Sequence, residues 1–240
     1  MAKGEVVVTA QQVSKRKKNE KIVVIVLLAL LLFLVITYFI LNIVYNEGSF
    51  TISMDKNTYL NSNLVMYESL NDRSYVLKLS TSKIAFMDNI TMKWLPDNIN
   101  NEAEGAHNGE NYIAYTFYLE NIGEETINYW YSVQIDDIIK NVDDAVRIIV
   151  YVNDDYKVYA KTSPITGEPE PDTTPFRDDE DKTIILEKRA DMLPEQRDKI
   201  TIVIFLEGND PECVNAILGG ELKMHMDIYE EHVEEKKIDE

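Results

Sequence analysis

Cysteine and histidine are almost missing from this chain of 240 residues, and their scarcity removes several chemistries at once. Cys213 stands alone, so no disulfide framework staples the fold. It is either a buried small hydrophobe or a free or intermolecular thiol. The three histidines, His107, His225 and His232, fall in a loop, a strand pattern and the C-terminal tail. A zincin needs two histidines one helical turn apart with a glutamate between them, and no His-Glu-x-x-His occurs. Glycine-rich phosphate loops are missing, and the serines lack the strand-turn-helix context of a nucleophile elbow. Positive charge is scarce too: 24 Lys and Arg against 42 Asp and Glu leave a net charge of −18. Such a chain repels nucleic acid and anionic headgroups, whereas cationic partners and divalent ions remain open to it.

Where charge vanishes altogether, the architecture becomes legible. Ile22 to Tyr45 is apolar except for Thr37 and Asn42 and holds no charge. Crossing a hydrocarbon core takes about 20 apolar residues, and in lipid they must be helical because every backbone group needs an internal partner. Residues 1–21 form a short basic leader, with Lys3, Lys15, Arg16, Lys17, Lys18 and Lys21 against Glu5 and Glu20, a net +4. The rest of the chain therefore carries −22. Basic residues beside a span stay on the cytoplasmic side, so Lys15, Arg16, Lys17 and Lys18 orient the N-terminus inside and residues 46–240 outside, at the cell surface. The run is longer than a signal-peptide h-region. Bulky residues follow it up to Tyr45, where a peptidase wants small ones, so an uncleaved anchor in the lipid bilayer is favoured over cleavage near Gly48 or Ser49. Leu193-Pro194-Glu195-Gln196-Arg197 is a turn, not a sortase signal.

Period-two alternation dominates residues 46–229. Phe50, Ile52 and Met54 share one face of a strand, as do Tyr75, Leu77 and Leu79, and Ile90, Met92 and Trp94. A polar loop, Asn98 to Asn111, precedes an aromatic strand from Tyr112 to Leu119. That strand, the turn Glu120 to Glu125 and the alternating run Tyr129 to Ile135 form a candidate hairpin. A second hairpin joins Val146 to Val152 with Tyr156 to Lys161 through Asn153-Asp154-Asp155. Ser163 to Asp181, with four prolines and the run Asp178-Asp179-Glu180-Asp181, is a solvated loop. Ile184 to Leu186 is a short strand. Ile200 to Leu206 is apolar on both faces except at Thr201 and belongs at the centre of a packed layer. Leu222, Met224, Met226 and Ile228 alternate with polar residues in a half-buried strand. Between these last two, Asp210 caps and Pro211 opens a short helix to Leu218. Residues 230–240 form a charged tail that frays. The whole reads as an all-β, antiparallel sandwich of jelly-roll type behind a single N-terminal transmembrane helix.

Leu119 to Glu125, the ending Ile200 to Cys213 with its Leu-Glu-Gly-Asn-Asp-Pro-Glu-Cys element, and Gly219-Gly220-Glu221-Leu222-Lys223-Met224 together resemble the TasA and camelysin group of bacterial cell-surface and biofilm-matrix proteins. The resemblance implies a jelly-roll ectodomain, a surface location and assembly by strand donation. In that mode Phe50, Thr51, Ile52, Ser53 and Met54 complete the sheet of a neighbour. Family members are released by a dedicated signal peptidase, and this chain departs from them in lacking a convincing cleavage site.

No cofactor or metal motif accompanies the resemblance. Asp136-Asp137, Asp143-Asp144, Asp154-Asp155 and Asp178 to Asp181 offer hard oxygen ligands, but none has the spacing of an EF-hand loop, and acidic loops are ordinarily just solvated. Of the two tryptophans, Trp130 alternates with Tyr129 and Tyr131 and is the better candidate for exposure. The first expectation is a non-enzymatic, membrane-anchored surface protein that associates with itself or with other surface proteins. A camelysin-like metallopeptidase and an accessory or ligand-sensing subunit are the alternatives.

Overall fold

The computed structural model describes residues 10–46, 49–55, 63–81, 86–177 and 182–231. The chain divides into two compact units, Met1–Asn46 and Glu47–Glu240. In the first, the described residues form one helix, α1 (Ala10–Asn46). Neither Gly nor Pro interrupts it, and the Thr37 hydroxyl donates back to the Phe33 carbonyl at 2.9 Å instead of breaking the ladder. The helix takes in Lys15 to Lys18 as well as the apolar run. From Ile22 to Leu41 every residue but Thr37 is exposed within the unit, so the helix is apolar all round and has no core-facing stripe. Its segment Lys18–Leu41 is long and apolar enough to cross a bilayer.

Among the described residues the second unit has twelve strands: β1 (Phe50–Met54), β2 (Leu64–Tyr67), β3 (Lys78–Ser80), β4 (Gly105–Ala106), β5 (Tyr112–Asn121), β6 (Ile127–Ile139), β7 (Val146–Val152), β8 (Asp155–Ala160), β9 (Thr174–Pro175), β10 (Thr183–Met192), β11 (Arg197–Leu206) and β12 (Glu221–Glu231). They form two sheets. One runs in the order β10-β6-β12-β1-β3, the other β2-β5-β11-β7-β8-β9, with β4 beside β5. Antiparallel pairing prevails among the named strands, but β1 lies parallel to β12 and β9 parallel to β8. The sheets are therefore mixed.

The two sheets bury their facing sides in one core. Phe50 and Ile52 of β1, Tyr129 and Val133 of β6, and Met226 and Ile228 of β12 meet Phe117 and Leu119 of β5, Ile148 of β7 and Ile202 of β11. Residues at i, i+2 and i+4 line one face of a strand, which is why these alternating positions converge. A second cluster covers the outer side of the second sheet, where Ala114, Ile149, Val203 and Phe205 pack under Ile90, Leu95 and Ile99. That cover explains why β11 is apolar on both faces.

Several expected elements turn out differently. β5 and β6 are not a hairpin: β5 pairs with β2, β4 and β11, and β6 with β10 and β12. The chain crosses from one sheet to the other after Asn121, because both strands have an apolar face to turn toward the same core. Ile90 to Trp94 is not a strand. Ile90 makes an isolated bridge to Glu207, and Met92–Trp94 is a 3₁₀ turn laid over the second sheet. Tyr75 and Leu77 lie exposed before the three-residue β3, which buries Leu79 alone. The segment Pro211 to Leu218 makes no α-helix but one 3₁₀ turn, Asn215–Ile217. β12 continues through Glu231, whose carboxylate pairs with Lys188 and accepts from Asn128 Nδ2 at 3.1 Å, so fraying does not begin at Glu230. The remaining tail, residues 232–240, lies outside the described residues, as do Asp178 to Asp181. Trp94 is 73% exposed, whereas Trp130 is half-buried with the Lys188 ammonium over its ring. Other expectations hold: β7 and β8 form a hairpin about Asn153, which takes φ +59°, and β11 lies between β5 and β7.

Candidate functional site

A charged residue on a buried strand must find a partner, and Arg147 is the charged residue in the Val-Arg-Ile-Ile-Val-Tyr-Val run of β7. It lies on the outer face of the second sheet, opposite Phe205 of β11 on one side and Ala160 of β8 on the other. Two loops close over it. One follows β8 and brings Ser163 and Glu170; the other follows β11 and brings Asp210 and Glu212. The Arg147 Nη2 donates to Asp210 Oδ2 at 2.5 Å and to Glu170 Oε2 at 3.2 Å, and Nη1 donates to its neighbour's carbonyl, Val146 O, at 3.2 Å. Side-chain exposure is 6% for Arg147, 0% for Asp210 and 10% for Glu170.

Glu212 completes the cluster. Its Oε1 accepts from the Ser163 hydroxyl at 2.5 Å, and its backbone amide donates to Asp210 Oδ1 at 2.9 Å. Its Oε2 is buried and receives no hydrogen bond among the described residues. One oxygen from each of Glu170, Asp210 and Glu212 lies within 4.8 Å of the others. Burial, reinforced by Glu212 alongside, pushes the Asp210 carboxyl up to about 6. The neighbouring Asp210, which takes up a proton first, and the bond from the Ser163 hydroxyl hold Glu212 below the ordinary glutamate range. Chemically this is a buried anionic cluster of hard oxygen donors around one fixed cation.

The loops are built to keep their shape. The Ser163 hydroxyl also accepts from the amides of Ile165 and Thr166, each at 3.3 Å, and the Ser163 carbonyl accepts from Gly167, which takes φ +73°. Thr173 Oγ1 donates to the Glu170 carbonyl at 2.8 Å. Asp210 is thus not a helix cap: its carboxylate serves Arg147 and the Glu212 amide. Cys213 follows directly, partly buried and free, and burial with Asp210 nearby pushes its thiol up. That makes it a poor nucleophile at neutral pH.

The residues singled out from the sequence are dispersed. Phe50, Ile52 and Met54 of β1 face the core, and the Ser53 hydroxyl donates to Asp227 on β12. β1 pairs with β12 and β3 of its own chain. Lys15, Arg16, Lys17 and Lys18 lie in α1. His225 is on β12, its Nδ1 2.8 Å from Asp136 Oδ1, and Asp136 is the extra residue of a bulge in β6. His107 follows β4 in the other sheet, with Nδ1 2.9 Å from the Gly105 carbonyl. His232 lies outside the described residues. Asp143 and Asp144 both accept from the Lys161 ammonium at 2.6 Å, and Asp154 sits in the β7–β8 turn.

The chain matches no protein-family model and no curated protein. Among solved structures it is similar to a β-glucosidase from Kluyveromyces marxianus, with TM-score 0.29 and 9% identity over 72% of this chain and 16% of that one. The same enzyme in complex with glucose gives TM-score 0.27 and 14% identity, covering 78% and 18%. A ruminal GH26 endo-β-1,4-mannanase gives 0.23 and 14%, covering 79% and 27%. The chain spans between 16% and 27% of the length of these enzymes, and no function is taken from them.

Proposed function

We propose that this is a non-enzymatic surface protein, anchored by α1 with its N-terminus in the cytoplasm, whose β-domain contacts other copies of itself or other components of the envelope. One observation carries the reading: an apolar helix of membrane-spanning length is preceded by Lys15 to Lys18 and followed within three residues by a strand, β1, buried inside a sheet. Three residues of chain separate the end of the helix from a strand paired on both edges, so the anchor and the sheet share one short connection. A free leader awaiting removal has no need of that connection.

The same reading takes the two-sheet domain as a jelly roll of the TasA and camelysin kind. β1 is then the segment open to exchange between copies. It is the first strand of its unit, it pairs with β12 over five residue pairs, and its other neighbour is the three-residue β3. A terminal element held this way can be swapped between protomers at low cost.

The test is the intact mass of the protein from its native host and its behaviour in an alkaline wash of the membrane fraction. A full-length chain that stays in the washed pellet, with its β-domain open to protease added outside intact cells, is the expected result. A mass beginning near Ser49, recovered from the medium, would overturn the anchored reading.

A further inference from the structure

Outside the core and the apolar helix, one group of buried carboxylates is only partly balanced by the cation beside it. Three carboxylates, Glu170, Asp210 and Glu212, converge within 4.8 Å, and among the described residues Arg147 is the cation hydrogen-bonded to them. Fully ionised, the group carries −2. Glu212 is 7% exposed, and its Oε2 is buried without a donor. A desolvated carboxylate oxygen facing other carboxylates is costly unless a proton or a cation sits against it.

We propose that Glu170, Asp210 and Glu212 bind a calcium ion, with Glu212 Oε2 as a direct ligand. A divalent cation would neutralise the group. The donors are all oxygen, which excludes the nitrogen and sulfur preference of zinc. They come from irregular loops, and calcium accepts six to eight oxygens at about 2.3–2.6 Å in flexible geometry, including bidentate carboxylates. Magnesium demands near-ideal octahedral geometry and keeps most of its water. The position also gives the ion a task. Glu170 belongs to the proline-rich loop after β8, and Asp210 and Glu212 to the loop after β11, so a bound ion ties these two loops together over Arg147. A proton shared between Asp210 and Glu212, which lie side by side, is the competing occupant.

Full-length protein in detergent, stripped with a chelator, is titrated with calcium chloride while thermal unfolding is followed. Bound metal is counted separately by equilibrium dialysis and atomic emission. The proposal expects one calcium per chain and, at ten times the midpoint concentration, a Tm about 3–6 °C higher. Glu212→Gln loses that shift, while Glu168→Gln, an exposed residue of the loop that carries Glu170, keeps it. Each shift is measured from the variant's own Tm in chelator, so that stability lost with the Ser163 bond to Glu212 is not counted as lost calcium binding. Absence of bound calcium and of any shift in the wild type, as a shared proton would give, overturns the proposal. So does an equal shift in Glu212→Gln, and magnesium at the same concentration giving the full effect overturns the assignment to calcium.

Discussion

Asp198 carries a fully buried carboxylate into the middle of the β-domain, with 0% exposure. Three donors converge on it: Tyr129 Oη at 3.0 Å, Arg189 Nε at 3.1 Å and Asn153 Nδ2 at 2.8 Å. Its neighbourhood in turn drives the Tyr129 phenol well above its ordinary value, chiefly by burial and then by the Asp198 charge. Replacing Asp198 by Ala strands the Tyr129 hydroxyl and loosens the turn that Asn153 stitches to β11. We expect a loss of about 3–5 kcal/mol, the range for removing one partner of a buried charged network. Urea unfolding at neutral pH reads it directly, and a loss below 1 kcal/mol would show that water replaces the carboxylate. The sequence carried a signal for such sites that pattern reading passed over. Arg147 within an apolar strand demanded a carboxylate, and the Asp-Pro-Glu stretch at 210–212 supplied one. Local motif logic instead made Asp210 a cap, because capping is judged within four residues and the partner is 63 residues away.

At the scale of elements, alternation told which residues face inward but not which strands are neighbours. Phe50 to Met54, Tyr112 to Leu119, Ile200 to Leu206 and Leu222 to Ile228 all lie within strands that bury the expected residues, Leu222 only in part. Pairing went unseen where a connection changes sheets, because the turn after Asn121 has nothing in its composition that distinguishes a hairpin from a crossover. β1 is a short strand whose central Ile52 is 0% exposed. Ile52→Ala should cost about 2–5 kcal/mol, as deletions of buried methylenes do, and thermal unfolding of the variant measures it.

A second element-scale prediction concerns acid. Glu104 ties the turn after β2 to β5: it accepts from the Ser69 hydroxyl at 2.5 Å, the Leu70 amide at 3.2 Å and Tyr118 Oη at 2.9 Å. The Ser69 bond is foremost in holding its carboxyl below the usual range. A depressed carboxylate binds its proton less readily folded than unfolded. Its contribution is therefore complete above the ordinary glutamate value of about 4.3 and disappears as pH falls through the lower folded value. Glu104→Gln should be less stable than wild type at pH 7, and the gap should close as the pH drops below 4. Chemical denaturation across that range tests the sign, and a gap that widens in acid would contradict it.

For the whole molecule, the apolar helix was the most legible feature because a segment of membrane-spanning length needs no partner: length, apolarity and the absence of charge are local properties of α1. The two-sheet arrangement was legible as a class and not as a topology, since the parallel neighbour of β1 lies at the far end of the chain. The proposed orientation rests on the basic residues just before the span. Retention of basic residues on the cytoplasmic side counts Lys and Arg near the span and gives little weight to acids, so Lys15, Arg16, Lys17 and Lys18 carry the effect and the acidic β-domain does not. Replacing these four by Gln leaves Lys21 as the one basic residue within ten positions of the run. The variant should distribute between both orientations where the wild type adopts one, as scored by protease access to a C-terminal tag on intact cells. If every copy of the variant still exposes the tag outside, the long β-domain, and not the basic cluster, sets the direction of insertion.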